Sequence, residues 1–172
     1  RSFSSKQPGE LHWHTTDTEL TDVSKAIAKV IPDNEQLDGL IHNAGLLINK
    51  PFSEKYEDDW LMQFEANVFM VFRWTRGLES LMGYGSHIVH VSSMGGVQGS
   101  SKFPGLSLYS AAKGAVTIFT ESLSTEWVER GIAVNALALG AVQTEMLDEA
   151  FPGLQAPVKP KVMGKYIADF CL

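Results

Sequence analysis

The segment Ser86-His-Ile-Val-His-Val91 begins the part of the sequence that decides the fold. It is a short run rich in β-branched and apolar residues. A longer amphipathic segment over residues 105–129 and a second short run over residues 132–137 follow it. A strand, a helix and a strand in this order form a βαβ unit, in which the two strands run parallel. The sequence therefore predicts the α/β class.

The same alternation extends in both directions from this unit. No repeat and no linker divides the pattern, so we expect residues 1–172 to belong to one domain. Gly131 is expected to end the helix over residues 105–129. The remaining predicted elements are strands over residues 11–15 and 37–42, helices over residues 21–30, 53–81 and 160–170, and a proline-containing loop over residues 148–161.

Composition excludes several classes of protein. The 172 residues are 44% hydrophobic and 20% charged, which suits one compact core. No apolar run reaches the roughly 18 to 20 residues of a membrane span, so no membrane partner is expected. The net charge is -6 and lysines and arginines do not cluster, which argues against a nucleic-acid partner.

Cysteine and histidine positions bear on redox and metal chemistry. Cys171 is the single cysteine, which excludes an intramolecular disulfide and a thiolate metal site. A reducing compartment such as the cytoplasm fits this usage. His12 and His14 alternate with a tryptophan on one predicted strand, and His87 and His90 lie on opposite faces of another. Neither pair predicts a metal site.

The most informative stretch for chemistry is Tyr109-Ser-Ala-Ala-Lys113. Residues four apart on a helix share one face, so the phenol lies beside the ammonium. A free tyrosine titrates near pH 10, and an adjacent positive charge favours the phenolate that a general base requires. Taken alone, the pair is more often an ordinary surface contact.

Polar residues also follow two of the predicted strands. Asn43-Ala44-Gly45 follows the strand over residues 37–42, and Ser92-Ser93 follows the strand that begins at Ser86. Open α/β sheets bind ligands beyond the carboxyl ends of their strands. These groups therefore predict a binding site at that edge.

In order and spacing, this set resembles the short-chain dehydrogenase/reductase family along essentially the whole chain. The resemblance implies a Rossmann-like, doubly wound parallel sheet. It also implies an NAD(P)-dependent oxidoreductase that moves a hydride between nicotinamide and the carbon of a small alcohol or ketone. The residues that carry the resemblance are Asn43-Ala44-Gly45, Asn67, Ser92-Ser93, Tyr109, Lys113, Asn135 and Gly140.

The resemblance implies a catalytic role for four residues. Tyr109 would be the acid/base, and Lys113 would lower the pKa of Tyr109 and bond the nicotinamide ribose. Ser93 would bond the substrate oxygen, with Ser92 as the alternative. Asn67 would hold a water molecule for proton relay.

The resemblance also assigns residues to the cofactor. Asp17 would contact the adenine, although an N-cap role is equally probable and Asp22 is its rival there. Arg1 gives a slight preference for NADP over NAD, because an arginine suits the 2′-phosphate. The implied cofactor residues are Asp17, Asn43, Ala44, Gly45, Tyr109, Lys113, Gly140, Val142 and Thr144.

Three departures from the family pattern stand out. His42 and Leu139 replace an asparagine and a proline, and neither position supplies a catalytic side chain. The Thr-Gly-x-x-x-Gly-x-Gly turn that cradles the pyrophosphate does not occur in the sequence. We therefore expect an incomplete representation of a longer chain, in which the first two strands and the last strand of the sheet are absent. The alternative function is a non-catalytic oligomerising or binding module.

The helix over residues 53–81 carries more aromatic residues than one core-facing side requires. The resemblance implies that it and the helix of Tyr109 pack against a second copy in a homodimer or homotetramer. The alternative is that the aromatic side chains fill the core of the monomer. These residues are Trp60, Phe64, Phe69, Phe72 and Trp74.

Overall fold

A three-stranded parallel sheet lies at the centre of the computed structural model, which describes residues 36–172. Its strands are β1 (Gly39–His42), β2 (His87–Ser93) and β3 (Ala133–Leu139), in the spatial order β1-β2-β3. Parallel pairing along both edges of β2 confirms the α/β class. Parallel pairing also brings the carboxyl ends of all three strands to the same edge of the sheet.

Five α-helices and several single turns connect and cover these strands within residues 36–172. None of these helices is long and apolar enough to cross a membrane. The helices are α1 (Glu57–Phe64), α2 (Met70–Leu78), α3 (Ser107–Trp127), α4 (Glu145–Ala150) and α5 (Pro160–Cys171), and a π-helical turn (Glu65–Phe69) joins α1 to α2.

Helices pack on both faces of the sheet, as a doubly wound fold requires. On one face, Ile88 of β2 packs in a core cluster with Leu78 of α2 and Leu123 of α3. On the other face, Val89 packs against Ile167 of α5. Successive side chains of a strand point to opposite faces, and burial on both faces explains why β2 is an almost continuous apolar run.

The predicted boundaries agree with the structure to within two residues for the three described strands, for α3 and for α5. Gly131 ends the segment after α3 with a φ of 67° and confirms the predicted stop. The predicted loop over residues 148–161 includes the last turn of α4 and the first residues of α5, and a bridge joins Val158 to Val142 in the segment before α4. The elements predicted over residues 11–15 and 21–30, and also Arg1 and Asp17, lie outside the described residues.

The helical stretch predicted over residues 53–81 is not one uniform helix, and a separate turn (Phe52–Glu54) precedes α1. Regular helix begins at Glu57, because Lys55 is extended and the Asp59 carboxylate accepts the Tyr56 N–H at 3.1 Å. A carboxylate that binds a free N–H at a helix N-terminus favours a start at that point. The π-helical turn then adds a residue to one turn and shifts the side chains that follow it.

Two stacked imidazoles lie between the sheet and its helices. His42 pairs in register with His90, and their ring centroids are 5.0 Å apart. His90 Nδ1 lies 2.8 Å from Thr120 Oγ1, whose own proton goes to the Val116 carbonyl. His90 Nδ1 therefore carries the proton. Its Nε2 is buried without a partner among the described residues.

Both imidazoles are held neutral. Burial, and then the charge of His90, lower the pKa of His42 from 6.5 to about 3. Burial, and then the charge of Lys113, lower the pKa of His90 from 6.5 to about 4. The unfolded chain binds these protons below pH 6.5 and the folded chain does not, so stability is complete above pH 6.5 and is lost as the pH falls toward 4.

We predict that the free energy of unfolding falls by up to about 1.4 kcal/mol per pH unit for each imidazole in this range. Urea titrations of the wild type and of His90→Leu between pH 7.5 and 4.5 check this, and the variant is expected to have the shallower slope. His87→Gln, on the opposite face of β2, is the control and should keep the wild-type slope. Equal slopes for all three proteins would contradict the prediction.

Candidate active site

The two serines at the end of β2 have different partners. Ser92 is buried, and its Oγ donates to the Lys113 carbonyl at 3.0 Å and lies 2.9 Å from Thr117 Oγ1. Ser93 accepts the Gly95 N–H at 3.1 Å, and its side chain lies close enough to Tyr109 to act on the pKa of the phenol. The Gly95 contact uses an acceptor site of Ser93 and leaves its hydroxyl proton available, whereas the Ser92 hydroxyl is already bound to α3.

Helix α3 brings Tyr109 and Lys113 together on one face. The Lys113 ammonium lies 5.8 Å from the centroid of the Tyr109 ring and donates to the Val91 carbonyl at 2.9 Å. This is its single hydrogen bond among residues 36–172. Two of its three N–H groups thus remain for a hydroxyl-bearing ligand.

The electrostatics differ in one respect from the sequence-based expectation that Lys113 lowers the pKa of Tyr109. Burial has the largest effect and raises the pKa of Tyr109, while the hydrogen bond with Ser93 acts in the lowering direction. Lys113 is itself 5% exposed, and burial lowers its pKa from 10.5 to about 8. Its ammonium points at the Val91 carbonyl rather than at the phenol oxygen, so in this arrangement Ser93 is the group that favours the phenolate.

Asn67 connects the loop after β1 to α1 through hydrogen bonds of its side chain. It lies in the π-helical turn, and its Nδ2 donates to the carbonyls of Leu46 at 2.7 Å and Gln63 at 2.8 Å. Its Oδ1 accepts the Leu46 N–H at 3.3 Å. The side-chain amide thus binds both main-chain groups of Leu46, as a neighbouring strand would.

Gly45 is the point at which this loop approaches the lysine. A Cβ at this position would lie 2.8 Å from Asn67 Oδ1 and 3.4 Å from Lys113 Nζ. Because the first distance is too short, only glycine fits here without a shift of Asn67. The structure therefore brings Gly45, Asn67 and Lys113 into one cluster, beside the contact between Ser93 and Tyr109.

The other predicted cofactor residues lie at the same edge of the sheet. Asn43 and Ala44 follow β1 directly, and Asn43 is exposed. Gly140 follows β3 and is exposed, and a Cβ there would meet nothing within 4 Å. Val142 forms the bridge to Val158, while Thr144 Oγ1 accepts the Leu147 N–H at 3.3 Å and caps α4. The contacts of Val142 and Thr144 therefore stabilise the local fold around α4.

Sequence reasoning missed two residues of this site. Gln63 is fully buried, one helical turn before Asn67, and its Nε2 lies 3.4 Å from the Leu46 carbonyl. Lys55 is 6% exposed and joins two loops through main-chain carbonyls. The spacing of Gln63 from Asn67 was a usable signal, because residues four apart share a helix face. A lysine just before a helix gives no such signal.

The aromatic residues predicted on the helix over residues 53–81 were expected either to pack against a second copy or to fill the core of the monomer. The structure gives both kinds of position. Phe64 and Phe72 pack against a buried cluster that contains Val116, and Trp74 packs against the cluster of Ile88. Trp60 and Phe69 are both 41% exposed. Part of the aromatic content therefore fills the monomer core, and part remains on the surface.

No group of three or more potential metal ligands occurs in the described part of the chain.

The family-level comparison agrees with this geometry. A family model described as short chain dehydrogenase matches residues 5–155. The chain belongs to the short-chain dehydrogenase family. A cyclopentanol dehydrogenase from a Comamonas strain is 31% identical over 166 residues, which cover 93% of this chain and 65% of that protein. A 3-oxoacyl-[acyl-carrier-protein] reductase from Synechocystis is 30% identical over 129 residues, 74% of this chain and 51% of that protein.

Solved structures of short-chain dehydrogenases match the fold. One from Escherichia coli, complexed with NADPH, superposes with a TM-score of 0.73 at 29% identity and covers 85% of this chain. One from Burkholderia cenocepacia, in complex with NADP, has the same TM-score at 26% identity. The chain spans 62% of each of these structures, so the three described strands belong to an incomplete Rossmann-like sheet.

We predict that Lys113→Met makes this short-chain dehydrogenase chain more stable at pH 7, by up to about 3 kcal/mol. The lowered pKa of Lys113 means that the folded protein carries a costly buried charge below pH 8, and the cost disappears as the pH rises toward 10.5. Urea denaturation at pH 7 and pH 10 measures the difference, which should shrink at the higher pH.

Lys161→Met, at an exposed position on α5, is the control and is expected to change stability little at either pH. If Lys113→Met were instead less stable at pH 7, the bond to Val91 and the packing of the lysine stem would outweigh the burial of the charge.

Proposed function

We propose that this protein is an NAD(P)-dependent oxidoreductase that moves a hydride between nicotinamide and the carbon of a small alcohol or ketone. The observation that carries the proposal is the arrangement at the carboxyl end of β2, where the Lys113 ammonium lies 5.8 Å from the centroid of the Tyr109 ring and Ser93 lies close enough to influence the pKa of the phenol. This arrangement provides a proton donor, an orienting hydroxyl and a cation within one partly buried cluster.

The proton chemistry follows from the pKa directions. Burial keeps Tyr109 protonated at neutral pH, so in the reducing direction its hydroxyl gives a proton to the carbonyl oxygen of the substrate. Ser93 would hold that oxygen through its hydroxyl proton. In the oxidising direction the step would start from the phenolate of Tyr109, a form that Ser93 favours, and this phenolate would take the proton from the alcohol and become the neutral phenol. A bound nicotinamide cofactor would accept or supply the hydride.

The residues of the cluster fit a cofactor ribose. Lys113 has two N–H groups without partners among residues 36–172, and glycine at position 45 lets the loop after β1 come close to its ammonium. We assign ribose binding to Lys113 and Tyr109, and a backbone platform for the cofactor to Asn43, Ala44 and Gly45. Gly140, Val142 and Thr144 would border the nicotinamide, and Asn67 would hold a water molecule for proton relay to Lys113.

The solved relatives support NADP as the preferred cofactor, because two of them are complexes with NADPH or NADP. Similarity to a cyclopentanol dehydrogenase supports an uncharged secondary alcohol or its ketone as the substrate class. The single cysteine is in keeping with work in the cytoplasm. Titration of the full chain with NADPH and with NADH tests the cofactor preference.

We predict that Tyr109→Phe lowers kcat by about 100- to 10,000-fold, because the variant lacks the hydroxyl that transfers the proton. The affinity for NADPH should change little. Absorbance at the nicotinamide band, with a panel of cyclic and linear secondary alcohols and their ketones, measures turnover.

Tyr84→Phe is the matched control, because Tyr84 is 89% exposed, and it should keep wild-type turnover. Full turnover by Tyr109→Phe would rule out the assigned role. A folded wild-type chain that binds neither NADPH nor NADH would instead favour the non-catalytic module.

We further propose a homodimer or homotetramer that forms through the outer surfaces of α1, the π-helical turn that follows it, and α3. These two helices pack side by side and carry large apolar side chains on their exposed sides. Exposed apolar patches on adjacent elements are typical of subunit interfaces. The residues are Trp60, Leu61, Met62, Phe69 and Ile118, which are 41% to 61% exposed.

We predict that Ile118→Glu converts the oligomer to a monomer, because a carboxylate would be buried at the centre of this surface. Light scattering after size-exclusion chromatography measures the mass. Val162→Glu places the same charge at a 64% exposed position on α5 and should leave the mass unchanged. A wild-type protein that is already monomeric would contradict the proposal.

A further inference from the structure

Lys55 is a buried cation outside the cluster of Tyr109 and Lys113. It is 6% exposed, and its Nζ donates to the Ile48 carbonyl at 3.1 Å and to the Gly105 carbonyl at 2.9 Å. Burial lowers its pKa, although the charge of Asp59 acts in the opposite direction. Removal of an ammonium from water is costly, so a lysine at this position indicates that its hydrogen bonds matter.

The two carbonyls belong to different loops. Ile48 lies in the loop that follows β1, and Gly105 lies in the turn that begins α3. The Gly105 carbonyl also accepts the Lys50 N–H at 3.3 Å. Where two loops lie side by side without strand pairing, their buried carbonyls need hydrogen-bond donors from elsewhere. A lysine can supply these, because its ammonium carries three N–H groups on one atom.

The turn at Gly105 has little freedom to move. Its φ is +85°, in the left-handed region that favours glycine, and a Cβ there would overlap Asn49 Oδ1. Asn49 in turn donates from Nδ2 to the Ala150 carbonyl at 2.7 Å, at the end of α4. The loop after β1, the start of α3 and the end of α4 are therefore joined at one place.

This junction lies one helical turn before the proposed acid/base. The first hydrogen bond of α3 runs from the Ser110 N–H to the Leu106 carbonyl at 2.8 Å, and Tyr109 lies within that turn. A groove of about 370 Å³ opens on the same turn, and Phe52, Phe103, Leu106 and Ser110 are among its lining residues. A shift at Gly105 would therefore move Tyr109 and the wall of this groove together.

We propose that Lys55 is a positioning residue for the reaction: its ammonium holds the turn at Gly105, and through that turn Tyr109, against the loop that follows β1. This inference rests on the proposed function. A displacement of about 1 Å at a reacting group costs up to about 100-fold in rate, so the contacts of a remote lysine can control turnover.

The test compares Lys55→Met with Lys50→Met in the full chain. Lys50 lies in the same loop, but its ammonium binds the Asp59 carboxylate at 2.9 Å at a partly exposed site, and its backbone N–H is unaffected by the substitution. Lys55→Met is expected to lower kcat by about 10- to 100-fold at saturating substrate and NADPH, with an unchanged Kd for NADPH. Lys50→Met should stay within about twofold of the wild type.

A second measurement follows the contact itself. Hydrogen exchange at the backbone amides of residues 105–110 should be faster in Lys55→Met and unchanged in Lys50→Met. If Lys55→Met fails to fold, Lys55→Gln takes its place, because the amide keeps an N–H donor without the charge; an intermediate kcat is then expected.

The inference is overturned if the folded variant keeps wild-type kcat while its free energy of unfolding falls, since Lys55 would then act on stability alone. Unchanged hydrogen exchange at residues 105–110 would overturn it as well. A wild-type protein that binds NADPH but reduces none of the ketones would contradict the proposed function, while the exchange data would still decide whether Lys55 holds the turn.

Discussion

Hydrogen bonds between the end of β2 and the middle of α3 are the constraint on which the candidate site depends. Ser92 donates from its side chain to the Lys113 carbonyl, and Lys113 donates from its ammonium to the Val91 carbonyl. Gly96 allows the chain after β2 to approach so closely, because a Cβ there would lie 2.6 Å from the Lys113 carbonyl carbon. These contacts fix the position of α3 along β2. As a consequence, Ser93 and Tyr109 lie near each other.

Burial gives this region its electrostatic character. Lys113, His90 and His42 all lose hydration between the sheet and the helices, and burial lowers the pKa of each of them. The same loss of hydration raises the pKa of Tyr109, because there the charged form is the anion. Low hydration disfavours every charge at the site, and a cation or a hydrogen bond nearby therefore has a larger effect than it would have in water.

The spacing of apolar residues was sufficient to predict the regular strands and helices. It was insufficient where the structure depends on hydrogen bonds made by a single side chain. The strands around Ile88 and Val134 and the long helix α3 could be predicted because their apolar residues recur with the strand and helix periods. At the start of α1, one carboxylate, Asp59, binds the Tyr56 N–H. The burial of Lys55 could not be predicted from the sequence, since its two carbonyl partners come from separate loops.

By itself, the sequence determined the α/β class, the order of its elements, the family and the set of candidate residues, because these follow from periodicity and from residue types at particular spacings. Only the tertiary structure decided which of these residues meet. It placed Ser92 against Lys113 and Thr117 in the middle of α3, and Ser93 near Tyr109 in the first turn of the same helix. It also placed Gly45 against Asn67 and Lys113, a contact among three segments distant in sequence that no local pattern encodes.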